Sequence, residues 1–107
     1  MVEQFDICLV PLDPTRGSEI QKTRPCVIVS PDEMNAGLNT VIIAPLTSTL
    51  KRYPFRVDCV FQDKQGQIAL DQMRAIDKSR LKKKLGTLDT EASQSVLDIL
   101  REMFSGG

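Results

Sequence analysis

Between residues 5 and 12 apolar side chains fall in both phases of a two-residue period: Phe5, Ile7 and Leu9 in one, Cys8, Val10 and Leu12 in the other. That pattern predicts a strand covered on both faces. Pro and Gly in Asp13-Pro14-Thr15-Arg16-Gly17-Ser18 punctuate a loop that continues to Arg24. A second strand, rich in β-branched Val and Ile, is expected over residues 25–30. Ser30-Pro31-Asp32-Glu33 carries a helix-start signature, with Ser30 as cap, Pro31 in the first turn and Glu33 completing a capping box before Gly37. Residues 40–46 predict a third strand that ends in Thr47-Ser48-Thr49. Residues 55–61 alternate cleanly, Phe55, Val57, Cys59 and Phe61 against Arg56 and Asp58, as a half-buried antiparallel strand does. Asp63-Lys64-Gln65-Gly66 predicts a turn into a strand over residues 68–76, and Gly86-Thr87-Leu88 a short edge strand. Asp89 is placed to cap a last helix whose Ala92, Val96, Ile99, Leu100 and Met103 share a helical stripe that packs on the core.

Short strands with polar turns and one terminal helix imply a β-rich α+β fold, a small antiparallel barrel or open sheet. The 107 residues fit a single domain, 1–107. With 41% apolar and 26% charged residues the chain has enough hydrophobic content to fold. The apolar run at residues 41–46 is too short to cross a membrane, and no basic region precedes an apolar stretch near Met1, so a cytoplasmic protein is expected. The chain has no His, which removes His-based triads, His-paired ribonuclease sites and His-ligated metals. Cys8, Cys26 and Cys59 are widely spaced inside apolar runs and form no C-x-x-C pair, so they read as core thiols. No metal and no cofactor is expected, and any hydrolytic chemistry falls to carboxylates, hydroxyls, Lys or Arg.

The 14 basic and 14 acidic residues balance, but they are segregated. Arg74, Lys78, Arg80, Lys82, Lys83 and Lys84 face only Asp77, and Lys51-Arg52-Tyr53-Pro54-Phe55-Arg56 forms a second basic cluster. Such segregation fits a face for a polyanion, or a solvated surface that discourages edge-to-edge pairing. Three loops hold polar residues that folding does not obviously need. Glu19 lies in the long first loop, and Pro25 forces Arg24 toward extended geometry at a strand mouth. A guanidinium fixed there can hold a phosphate bidentately, or pair with Glu19. Thr47 and Ser48 end a strand, as phosphate donors or as turn formers. Asp71 and Gln72 interrupt an apolar strand, and the Gln amide suits either a base edge or a buried structural bond.

As an ordered set these blocks are specific. Asp6-Ile7-Cys8-Leu9-Val10, Leu12-Asp13-Pro14-Thr15-Arg16-Gly17-Ser18-Glu19 and Thr23-Arg24-Pro25-Cys26-Val27-Ile28-Val29-Ser30 resemble the opening of the MazF/PemK (Kid) family of toxin endoribonucleases. The resemblance continues through Ala44-Pro45-Leu46-Thr47-Ser48, Tyr53-Pro54-Phe55 and Ala69-Leu70-Asp71-Gln72-Met73-Arg74-Ala75-Ile76-Asp77-Lys78-Ser79-Arg80-Leu81, across nearly the whole chain. It implies an SH3-like barrel with a C-terminal helix, acting as a homodimer that cuts single-stranded RNA, often mRNA, at short sequences without metal. The RNA's own 2′-hydroxyl attacks, leaving a 2′,3′-cyclic phosphate and a 5′-hydroxyl. A MazE/PemI-like antitoxin blocks the RNA groove, and DNA is bound together with that antitoxin. Carried over by position, Arg24 and Thr47 match the catalytic Arg and phosphate-binding Thr, Glu19 the loop Glu, and Asp71-Gln72 the acid-Gln pair. Glu19 or Asp71 is then the base, Glu19 being favoured. RNA contacts are expected from Ser18, Ser48, Lys51, Arg52, Tyr53, Asp71, Gln72 and Arg74, with Tyr53 stacking a base.

The chain departs from the family at Phe5 and Cys8, where Gly and an aromatic are usual, and carries Ser18 where some members have His. A gyrase-poisoning toxin of the CcdB type is an alternative reading, but its Trp-Gly-Ile-like end has no counterpart in Glu102-Met103-Phe104-Ser105-Gly106-Gly107. A non-catalytic barrel that binds RNA or a peptide is the third reading; it would be favoured by loss of Arg24 or Thr47, and both are present.

Overall fold

The computed structural model describes residues 2–106. Seven strands, β1 (Asp6–Pro11), β2 (Thr23–Ile28), β3 (Thr40–Thr47), β4 (Arg56–Phe61), β5 (Lys64–Ala69), β6 (Arg74–Asp77) and β7 (Lys83–Thr87), form one antiparallel sheet. Two helices, α1 (Asp32–Gly37) and α2 (Thr90–Met103), complete the chain. The strand path is β4-β5-β3-β2-β1-β7, with β6 pairing β3. The sheet curls until its ends approach: a Cβ built on Gly86 of β7 would sit 3.5 Å from Phe61 of β4. This is the small antiparallel barrel with a C-terminal helix that the sequence implies.

Both faces of the central strands are buried, as the two-phase pattern of β1 requires. Ile7, Val27, Ala44, Leu46, Val57 and Ile68 face α2 and meet its Ala92 and Val96, while Cys8, Val10, Cys26, Ile28, Val41 and Ile43 fill the other side. Asp89 caps α2 through the Ala92 N–H at 2.7 Å. The capping box at α1 does not form. Pro31 is the N-cap and no side chain caps the helix; the Ser30 hydroxyl instead donates to Asn35 Oδ1 at 2.5 Å and accepts from the Ile42 N–H at 3.0 Å. Binding a strand N–H inside the core outweighs capping one short helix.

The hairpin turn is Gln62-Asp63, both with positive φ (52° and 62°), so Lys64-Gln65-Gly66 already belongs to β5. Two left-handed residues match the twist of a two-residue hairpin, which a Gly-centred reading of the sequence misplaces. The expected strand over residues 68–76 is broken by a 3₁₀ turn at Leu70–Gln72. Strand β6 pairs β3 at Thr40–Ile43 and β5 pairs it at Leu46 and Thr47. The turn is the corner between those pairings, and it lifts Asp71 and Gln72 out of the ladder. The edge strand β7 is longer than expected and begins at Lys83.

All three thiols are buried and free. Burial pushes Cys26 up to about 12 and Cys59 up to about 11, from an ordinary value of 9.0. Unfolded thiols therefore ionise before folded ones. Their contribution to stability is intact below about pH 9 and is lost as pH rises toward about 12. Denaturant midpoints should fall over that window, less steeply in Cys26→Ala than in wild type; equal slopes would contradict this account.

Candidate active site

The loop between β1 and β2 is held by side chains from the other end of the sequence. Arg74 Nη1 donates to the Leu12 carbonyl at 3.0 Å, and Arg80 Nη2 to the carbonyls of Pro11 and Asp13. Gln72 accepts from the Ile20 N–H at 2.6 Å and donates to the Ser18 carbonyl at 3.1 Å. These bonds set Ser18 and Glu19 against the barrel. Glu19 is exposed, with Oε1 accepting from the Arg16 N–H. Arg24 and Glu19 do not form the ion pair their composition allows. Arg24 Nε donates to the Gln21 carbonyl at 2.7 Å, leaving both terminal nitrogens without a partner among the described residues. Pro25 stands just before β2 joins β3, whose pairing starts at Cys26, so its missing N–H costs no ladder bond and Arg24 stays extended.

Thr47 ends β3, 8% exposed, and its hydroxyl accepts from the Thr49 N–H at 3.1 Å. The hydroxyl proton remains available to donate. Close approach fixes this point, since a Cβ on Gly66 of β5 would stand 2.8 Å from the Thr47 carbonyl oxygen.

Arg24, Thr47 and Glu19 line one cleft of about 490 Å³ together with Ser18, Lys51 and Tyr53. Asp71 and Gln72 line it too. An adjoining cavity of about 240 Å³ shares Arg24 and Thr47 and adds Ser48 and Lys64. A third, of about 410 Å³, is lined by Arg74 and shares Ser18, Glu19, Asp71 and Gln72. Arg52 is exposed in the same loop as Lys51 but lines none of these cavities. The basic 74–84 segment is partly committed within the chain, through the carbonyl bonds of Arg74 and Arg80 and a 3.2 Å contact of Lys84 with buried Asp6.

Two side chains that support the cleft escape the sequence reading. Arg56 donates Nε and Nη2 to Asp71 at 2.6 and 3.2 Å and lies 4.9 Å over the half-exposed Tyr53 ring. It was legible only as part of a basic cluster, because its partner arrives through the β4–β5 register. Gln67 is buried and bonds Lys51; a Gln opening the apolar run Gln67-Ile68-Ala69-Leu70 is the signal that marks it. Among the described residues no group of three or more His, Cys, Asp or Glu is placed to hold a metal, and no helix is long and apolar enough to cross a membrane.

Fold and cleft together define the class. MazF from Deinococcus radiodurans has a similar solved structure, at TM-score 0.83 and 24% identity over 97% of this chain and 96% of that one. An endoribonuclease from a mycobacterial species, solved in complex with its cognate antitoxin, matches at TM-score 0.83 and 19% identity, covering 98% and 96%. Those likenesses establish the MazF-type fold.

Sequence establishes the family. Residues 3–104 match the model of the PemK-like, MazF-like toxin of type II toxin-antitoxin systems. Endoribonuclease MazF of Staphylococcus saprophyticus is 35% identical over 102 residues, 90% of this chain and 85% of that protein. The chain belongs to the PemK/MazF-like toxins, a family of endoribonuclease toxins.

The two carboxylates of the cleft differ in setting, and so in what their loss should cost the fold. Asp71 neutralises an Arg56 side chain only 5% exposed. Asp71→Asn should lower stability by about 2 kcal/mol, near 10 °C in Tm. Exposed Glu19→Gln should leave Tm within about 2 °C. Thermal melts showing equal losses would contradict this division.

Proposed function

We propose that the chain is a sequence-specific endoribonuclease that cuts single-stranded RNA, chiefly mRNA, by internal transesterification. One observation carries this reading: a guanidinium with two free terminal nitrogens, a hydroxyl free to donate and a carboxylate with an oxygen to spare share one cleft. The RNA supplies its own nucleophile, so the protein need only move protons and hold charge, and neither His nor a metal is called on. Glu19 takes the proton of the 2′-hydroxyl as its oxygen forms a bond to phosphorus. The bond to the 5′ oxygen breaks, giving a 2′,3′-cyclic phosphate and, after proton uptake, a 5′-hydroxyl. Arg24 clamps the phosphorane charge with its guanidinium, and Thr47 donates to a non-bridging oxygen. Both oxygens of Asp71 face Arg56, which favours Glu19 as the base. Lys51 and Arg52 follow the backbone of the strand, Ser18, Ser48 and Arg74 add polar contacts, and Tyr53 offers a stacking face.

Family membership supports the rest of the reading, and the antitoxin complexes solved for related toxins support its partner. The chain acts as one toxin domain, 1–107, in the cytoplasm. It pairs as a homodimer, and a MazE/PemI-like antitoxin occupies the groove, with DNA bound by the two together.

The test is cleavage of a long single-stranded RNA in excess EDTA. Wild type should cut at a short recurrent sequence. Arg24→Ala should be slower by about a hundred- to a thousandfold, with unchanged melting. Wild type inert on diverse RNAs, or a fully active Arg24→Ala, would overturn the assignment.

A further inference from the structure

We infer that Gln67 is a positioning residue of the substrate cleft, fixing the loop that carries Lys51 and Tyr53; this rests on the RNA-cleaving reading above. Among the described residues, no backbone–backbone bond holds residues 48–52. That segment is held by three bonds to side chains: Thr49 N–H to Thr47 Oγ1, and two from Lys51 to Gln67. Gln67 Oε1 accepts from the Lys51 N–H and Nε2 donates to the Lys51 carbonyl, both at 2.9 Å. A primary amide carries a donor and an acceptor side by side, as a peptide does, so Gln67 pairs with Lys51 as a neighbouring strand would.

The anchor is rigid at its own end. Gln67 is 6% exposed in β5, opposite Thr47 of β3 on one side and Asp58 of β4 on the other. The second Nε2 proton goes to Asp58 Oδ1 at 3.0 Å. A flipped amide would set its oxygen against both that carboxylate and the Lys51 carbonyl, so Asp58 fixes which way Gln67 points. One residue thus ties the Lys51 loop to the strand position that presents Thr47. Gln72 makes the same kind of two-point bond to Ser18 and Ile20, which line the same cleft. Two loops of the cleft therefore hang on side-chain amides from one short stretch, residues 67–72.

The experiment compares wild type, Gln67→Glu and Gln67→Leu in steady-state cleavage of a short RNA containing the mapped site, with amide exchange at Lys51 read alongside. Glu accepts from the Lys51 N–H but, when ionised, cannot donate to its carbonyl. The titratable groups beside it are Asp58 on β4 and Lys51 itself, and the facing carboxylate raises its pKa. Both variants should exchange the Lys51 amide faster and raise KM about tenfold, the scale of one or two lost hydrogen bonds, with kcat within about threefold. The Glu variant should recover wild-type KM as pH falls from about 8 to about 5, whereas the Leu variant should not. A wild type that cuts no RNA overturns the functional reading and this one with it. A wild type that cuts while both variants keep its KM and its cut sites overturns this one alone, as does a fall in kcat that tracks lost thermal stability in both.

Discussion

Strand β3 pairs along one edge with β6 through Thr40–Ile43 and then with β5 through Leu46 and Thr47. Two successive strands can share that edge only if the chain between them turns a corner, and the 3₁₀ turn at Leu70–Gln72 is that corner. The cleft depends on it. Asp71 and Gln72 leave the ladder there, so one is free to hold Arg56 and the other to hold the loop bearing Glu19. At the end of the same edge only a glycine at position 66 leaves room for the Thr47 carbonyl, in the strand end that carries the hydroxyl proposed to meet the phosphate.

Irregular backbone in this protein is disciplined by side chains rather than by regular pairing. The first loop is tied by Arg74, Arg80 and Gln72, and the Lys51 loop by Gln67. Each tether comes from a strand or from a 3₁₀ turn beside one, so rigidity passes outward from the buried sheet to the loops that line the cleft. Loops built this way keep polar groups exposed for binding while losing little entropy when they bind.

Much of the barrel was legible as pattern. The two-phase run of β1, the alternation of β4 and the Asp89 cap each state a local preference that the fold obeys. Local signals failed where tertiary demands overrode them. Ser30 serves a strand instead of a helix, Gln62 and Asp63 take left-handed conformations without a Gly, and apolar Leu70 hides the corner inside a run that reads as continuous strand. Arg24, Thr47 and Glu19 were marked by family resemblance, since no periodicity says that a strand mouth, a strand end and a loop will share one cleft. Arg56 and Gln67 depend on register and distant partners, which a single sequence does not display.

Internal attack by the substrate's own hydroxyl is the claim on which the chemistry rests, and one measurement addresses it directly. The oligonucleotide is an RNA carrying the mapped cut site, with a single 2′-deoxy sugar on the 5′ side of the scissile phosphate, offered to wild type in excess EDTA. The account predicts binding equal to that of the all-ribose strand and no cleavage at that phosphate, while the all-ribose strand yields a 2′,3′-cyclic end. Cleavage of the deoxy strand at the same position would contradict it, because the nucleophile would then have to come from water or from the protein.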